Sequence, residues 1–269
     1  MGENRSESAD FRVPLSRITI APGRRLIAFL LEVTEDRIGV IRDIAELMGN
    51  LKLNIHQMSA YVESGKGGVY LVISVPQELP LDELKSKLSS IKGIGRVLHQ
   101  ACDVEGLLID ELNFPLMRYG DRVFTLTDRA WASLRSNLAS TVGLQAYYAL
   151  IFRIGYEMGK GFAETYSEIA RKSGIEDPID VIRYVMARML AASGWAKARI
   201  EVSERTLRVI LKDGLEAIAS GRSEGPSCYF TKGIIAGALT RILRSPVEVS
   251  EMKCQAAGGD HCEFSITRD

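Results

Sequence analysis

Histidine is scarce in this sequence, with only His56, His99 and His261 among 269 residues. No grouping of Ser, His and Asp therefore suggests a nucleophilic triad. An excess of charge of either sign is also lacking, since 34 Lys and Arg balance 34 Asp and Glu. A dedicated nucleic-acid binder carries a basic field, so nucleic acid is not an expected partner. Long apolar runs are missing too. The longest, Leu26 to Leu31, is far too short to span a bilayer, and Met1 to Asp10 is polar rather than signal-like. These features predict a cytoplasmic protein without a membrane partner. No strand-Gly-x-Gly-x-x-Gly-helix and no P-loop is present, and Gly65 to Gly68 is short and lies between two strand-like runs, so no dinucleotide or nucleotide carrier is implied.

The composition is that of a globular protein, 46% apolar and 25% charged. The length exceeds what one hydrophobic core usually organises, which predicts two domains. Residues 1–24, with Pro14, Pro22 and Gly23, read as a polar tail holding one short strand at Ser16 to Ile20. Leu26 to Val33 reads as a buried strand, and Val40, Ile44, Leu47 and Leu51 place an apolar stripe on a following helix. Asn54 to Val62 and Val69 to Val75 form a hairpin around a loop at Glu63 to Gly68. Leu81, Leu84, Leu88 and Ile91 then recur at helical spacing before a last strand from Arg96 to Val104. The order β-α-β-β-α-β over residues 25–103 is the ferredoxin-like arrangement, with two helices on one face of an antiparallel sheet.

Residues 104–269 read as a second, α+β domain. Helical patterning fills residues 127–194 with breaks at Gly143, Gly174 to Pro178 and Gly194. Strands follow at Lys197 to Val202 and Thr206 to Leu211, then a helix from Phe230 to Leu243 and a hairpin of Val247 to Cys254 with Cys262 to Thr267.

Three of the four cysteines, Cys228, Cys254 and Cys262, fall in this last part, with Glu251 close by. With Gly258 at the hairpin apex, Cys254 and Cys262 face each other across the strands. Zinc takes four ligands in a tetrahedron, which makes Cys228 and Glu251 the candidates to complete a set. Glu251 and Cys254 lie on opposite faces of a regular strand, so this set requires a bulge or a strand end between them. His261 is an alternative fourth ligand. Ordinary buried thiols and a cross-strand disulfide are the competing readings of the cysteines.

Cys228-Tyr229-Phe230 with Gly233 and Gly237, then Glu251-Met252-Lys253-Cys254, then Gly258-Gly259-Asp260-His261-Cys262-Glu263-Phe264 resembles the C-terminal signature of the 4-vinyl reductase (4VR) family. The resemblance extends back through Asp121-Arg122-Val123-Phe124 and Gly155-Tyr156-Glu157-Met158-Gly159. It implies a structural zinc on Cys228, Glu251, Cys254 and Cys262. It also implies a small apolar or aromatic molecule enclosed between helices and sheet. Candidate ligand-facing residues are Tyr148, Phe152, Tyr184 and Trp195, with core or dimer interface as the plainer reading of the same aromatics. Phenol-responsive members use a pocket histidine, and none of the three histidines here lies in the helical region.

Val33-Thr34-Glu35-Asp36-Arg37-Ile38-Gly39-Val40, followed by Asn54-Ile55, resembles the ACT regulatory domain, with Ile38 where a proline is common. The resemblance implies a homodimer and an amino-acid site using Asp36, Gly39, Val40, Asn54 and Ile55. A glycine at a helix N-terminus suits this, because it lets a carboxylate approach backbone N–H groups. The combined expectation is a small-molecule sensor or regulator rather than an enzyme, with a reductase of the 4-vinyl type or an assembly scaffold as the alternatives.

Overall fold

The computed structural model describes residues 17–63, 65–203 and 206–268. Most of the expected N-terminal tail, and Ser16 of the short strand assigned there, lie outside the described residues. The chain divides into two compact units, residues 1–118 and 119–269, so the division falls later than the change in composition beyond Asp103.

The first unit contains β1 (Ile18–Ile20), β2 (Arg25–Val33), α1 (Val40–Asn50), β3 (Asn54–Glu63), β4 (Lys66–Val75), α2 (Leu81–Ser89), β5 (Ile94–Ala101) and β6 (Leu107–Ile109). Strands pair antiparallel in the order β3-β4-β2-β5, which is the ferredoxin-like sheet expected from the periodicity. The hairpin between β3 and β4 is tighter than the expected six-residue loop, since pairing continues to Glu63 opposite Lys66. Ile27, Phe29, Leu31 and Val33 of β2 share one core with Val40, Ile44 and Met48 of α1 and Leu84 and Leu88 of α2. Leu26 and Ala28, on the other face, pack with Tyr70, Val72 and Leu108. Both faces of β2 are therefore covered, which explains an unbroken apolar run in place of alternation. The second cover includes a ribbon of β1 paired with β6, pinned where Arg17 Nη1 meets the buried Asp110 carboxylate at 2.5 Å.

The second unit contains α3 (Asp128–Val142) and α4 (Leu144–Lys172). A continuous helical stretch follows, α5, made of Pro178–Asp180, a π-helical turn at Val181–Met186 and Ala187–Ala192. The chain continues through β7 (Lys197–Val202), β8 (Leu207–Lys212), α6 (Leu215–Ser220), α7 (Tyr229–Leu243), β9 (Val247–Lys253) and β10 (Cys262–Arg268). Helix starts follow capping chemistry. Thr127 accepts from Ala130 N at 3.2 Å to open α3, and Asp177 accepts from Ile179 N at 2.6 Å with Pro178 in the first helical position of α5. The sheet order is β9-β10-β8-β7.

α7 is buried along nearly its whole length. Ile235, Ala238, Leu239 and Ile242 join Val209, Leu211, Val249, Phe264 and Ile266 of the sheet in one core. Its other side meets α4 through reciprocal glycines. A Cβ on Gly155 would lie 2.3 Å from Phe230 O, one on Gly159 2.3 Å from Ile234 O, one on Gly233 2.2 Å from Phe152 O and one on Gly237 1.9 Å from Tyr156 O. The two backbones therefore touch without a side-chain layer, and the intrinsic cost of glycine in a helix, about 1 kcal/mol each relative to alanine, is offset by close packing.

Gly237→Ala should therefore lower unfolding free energy by about 1–3 kcal/mol, because a methyl group would collide with backbone that cannot move aside. Gly161→Ala on α4 has open space around the new methyl and should be neutral or stabilising by up to about 1 kcal/mol. Urea unfolding of the two variants measures this contrast, and equal effects would contradict the interlock.

Candidate metal centre

Cys228 sits at the N-cap of α7, and the turn after β9 carries Cys254 to within reach of it. Across the terminal hairpin the register runs from Val247 opposite Arg268 to Glu251 opposite Phe264, then shifts so that Lys253 faces Glu263. This is the bulge that the face argument required between Glu251 and Cys254. Gly258, at φ 93°, lies in the connecting turn, and Gly259 N closes it on Cys254 O at 2.9 Å.

The three sulfurs and the Glu251 carboxylate converge, with one ligand atom from each lying within 4.8 Å of all the others. Cys228 Sγ is 3.7 Å from Cys254 Sγ and 3.8 Å from Cys262 Sγ. Tetrahedral thiolates on zinc, at bond lengths of ~2.3 Å, stand about 3.8 Å apart. The spacing suits that donor set and is far beyond the ~2.05 Å of a disulfide. All four cysteines are free thiols, and the fourth, Cys102, belongs to the first unit. Glu251 divides its oxygens. Oε2 accepts from Cys228 N at 3.1 Å, while Oε1 is buried without a hydrogen-bond partner, leaving a lone pair for an ion. The surrounding donors also suit thiolates, since Gln255 N points at Cys262 Sγ at 3.3 Å and Ser227 Oγ lies 3.6 Å from Cys254 Sγ. These residues could hold a metal.

The electrostatics point the same way. Burial, and then the adjacent Cys254 sulfur, pushes the Glu251 carboxyl up to about 8. Hydrogen bonding from Cys228 and Cys262 holds Cys254 well below the usual thiol range, and the same bond to Cys254 drives Cys228 far above it. A buried group of this kind resists holding several negative charges unless a cation is present. His261, the alternative ligand, is directed elsewhere, with Nδ1 2.7 Å from Asp260 Oδ1 and Nε2 3.5 Å from Glu263 Oε2.

A second buried carboxylate, absent from the expected site, shapes the same helix end. Glu216 on α6 is 2% exposed and accepts from Phe230 N at 2.9 Å, Thr231 N at 2.7 Å and Thr231 Oγ1 at 2.6 Å. Its only mark in the sequence is a lone charge in the apolar run Leu215 to Ala219. Glu216 and Glu251 thus take the leading N–H groups of α7 where the helix dipole favours negative charge. Trp195 Nε1 donates to Thr231 Oγ1 at 3.0 Å, which ties an aromatic cluster to this network.

The expected aromatic residues separate into three places. Trp195, half-buried, meets Trp131 edge-on at 5.6 Å and Phe230 at 5.2 Å. Tyr148 belongs to the same cluster and stacks on Tyr229 at 4.1 Å. Phe152 packs beside Tyr156 at 6.4 Å, with the Lys232 ammonium 5.8 Å from its ring. Tyr184, on the π turn, is 52% exposed and stands apart from the others.

In the first unit, Asp36, Gly39 and Val40 line a groove of about 210 Å³ together with Arg37, Arg42, Val62 and Val69. Gly39 adopts φ 98° at the N-cap of α1, and Arg42 and Arg37 nitrogens lie 3.2 and 3.5 Å from where its Cβ would be. Both guanidiniums pair with Asp43. Asn54 is not part of this groove and lines a different concavity, while Ile55 packs against the sheet–helix core. The groove meets β3 at Ala60 and Val62 instead. At ~3.3 Å per strand residue, Asn54 is about 20 Å from Ala60 along β3.

Residues 207–268 match the vinyl-4-reductase (4VR) domain family, and residues 115–203 match the family described as activator of aromatic catabolism. The 4VR resemblance read from the sequence is therefore sustained for the C-terminal part of the chain. An uncharacterised protein of Methanocaldococcus jannaschii is 36% identical over 45% of this chain and 48% of its own length. The chain spans less than two thirds of each of its three curated relatives. Among solved structures, the phenol-responsive sensory domain of the transcription activator PoxR is similar over 55% of this chain and 78% of its own, at 19% identity and TM-score 0.49. The ACT domain from GTP pyrophosphokinase of Chlorobium tepidum is similar over 29% of this chain and 99% of its own, at 22% identity and TM-score 0.26. The first unit is ACT-like. Among the described residues no helix is long and apolar enough to cross a membrane.

Burial pushes the Glu216 carboxyl up to about 7 from an ordinary 4.5, against the pull of the Thr231 and Phe230 donors. A raised folded-state value means that the native protein binds the extra proton. Stability from this group is full below pH 4.5 and falls as pH rises to about 7, by roughly 3 kcal/mol at most. Urea unfolding at pH 5 and pH 7.5 should show a steeper loss for wild type than for Glu216→Gln. Identical pH slopes would contradict it.

Proposed function

We propose that this protein is a ligand-responsive sensor or regulator. In this reading its 4VR-type unit binds a small apolar or aromatic molecule and is held together by a structural zinc on Cys228, Glu251, Cys254 and Cys262. The observation that carries the proposal is the convergence of these four donors at thiolate-like spacing within a segment matching the 4VR family. Zinc fits because three soft sulfurs and one carboxylate complete a tetrahedron, leaving no position for water. Such an ion would tie the hairpin to the start of α7. The match to a family of aromatic-catabolism activators supports an aromatic ligand, and Tyr148, Phe152, Tyr184 and Trp195 are the side chains proposed to meet it. Sensing without turnover, a homodimer and a cytoplasmic setting are parts of the same proposal.

Purified protein never exposed to chelator should contain close to one equivalent of zinc, and Cys254→Ser should lose it together with thermal stability. Native mass spectrometry of the same sample should show a stoichiometric small organic molecule. A bound flavin or nicotinamide would favour a reductase instead, and metal-free, ligand-free protein of full stability would favour a scaffold.

A second reading concerns the first unit, where the groove at Gly39 supports binding of an amino acid. Its floor is apolar, through Val33, Val62 and Val69, and Arg37, Arg42 and Asp36 lie at its edge, which matches a zwitterion with an apolar side chain. Calorimetric titration with the common amino acids should find one that saturates and whose binding is lost in Gly39→Val. Failure of every amino acid to bind would reduce this unit to a dimerisation module.

A further inference from the structure

A larger concavity lies at the opposite end of β3 from the Gly39 groove. It encloses about 610 Å³, a size common to small-molecule sites. Its cationic lining is Arg24, Arg25 and Lys52, with His56 beside them and Glu105 as the acidic residue. The whole chain carries no net charge, so this local excess of positive charge is a property of the place rather than of the composition. The side chains of Arg24 and Lys52 have no ion-pair or hydrogen-bond partner among the described residues. Arg25 is fixed in position by Nη1 donating to Pro76 O at 3.2 Å and Gln77 O at 3.0 Å.

The walls are built rather than incidental. The turn carrying Arg24 is closed by Arg24 N on Ala21 O at 3.1 Å and clasped to the chain ahead of β6 by Ala21 N on Gly106 O at 2.8 Å and Gly106 N on Arg24 O at 2.9 Å. A Cβ on Gly106 would lie 2.7 Å from Ala21 O, so the clasp depends on glycine. On the facing side, β3 is the edge strand. Its register shifts between Ile55 and Gln57, so His56 lies in a bulge, a device that re-aims side chains at edges. Asn54 Nδ2 lies 3.5 Å from His56 Nε2. Lys52 extends from a left-handed residue, φ 54°, where α1 ends.

We propose that this concavity is a binding site for a small phosphate monoester. A phosphate ester is dianionic at neutral pH and presents three acceptor oxygens, which suits one ammonium and two guanidiniums. The volume exceeds that of an inorganic anion, and Pro22, Val75 and Pro76 offer an apolar wall for an organic body. The proposal is independent of the 4VR reading and of the Gly39 groove.

The test is calorimetric titration of the full chain, at low salt, with adenosine 5′-monophosphate and phenyl phosphate, against adenosine and citrate. Saturable one-to-one binding of a phosphate ester, weakening as salt rises, is expected. Arg24→Ala with Lys52→Ala should cut affinity on the order of tenfold or more, and Glu105→Gln should raise it about twofold or more. All three side chains are solvent-exposed, so circular dichroism should show the variants folded. Absence of saturable binding by both esters, unchanged affinity in the double variant, or citrate or adenosine binding as tightly would each overturn the assignment.

Discussion

The second unit depends on how one helix begins. α7 starts at a point where three sulfurs and two carboxylates, brought from a distant hairpin and from α6, meet its first turn. Burying acceptors at a helix N-terminus satisfies N–H groups that the helix leaves open, and the dipole favours the negative charge gathered there. Crowding of sulfurs and carboxyls in a dry site is tolerable with partial protonation or a cation, and the shifted Glu251 and cysteine ionisations express that tension. Because the same helix runs between α4 and the sheet, fixing its start orients the whole core.

The two ends of the chain differ in how much of this is legible beforehand. In the first unit, period-two and period-3.6 patterns locate every element of the ferredoxin-like sheet, since each strand and helix has its own apolar face. The β1–β6 ribbon escapes because strands as short as Ile18–Ile20 and Leu107–Ile109 leave no period to read. The β2 run from Leu26 to Leu31 signals a second cover, since a strand with one open face alternates. Resemblance groups Asn54 and Ile55 with Gly39, but an extended strand holds its two ends far apart, and the groove meets β3 at Ala60 and Val62.

In the second unit the metal set is legible because hairpin geometry makes a definite demand. Opposed cysteines plus Glu251 need one extra residue, and the register shift supplies it. Glu216 is not legible, because its partners lie on another helix and no local spacing joins them. Tyr184 departs from the other aromatics for a related reason. It sits on a π turn, whose wider winding advances side chains by less than 100° per residue and breaks a helical-wheel count.

The glycine interlock has a mechanical meaning. Four positions without side chains let α4 and α7 lie backbone against backbone, so the pair has no compressible layer between its members and behaves as one stiff rod. α4 has 29 residues, which at ~1.5 Å each makes a lever about 43 Å long. A small displacement where α7 begins would therefore be delivered, undamped, to the far tip of α4.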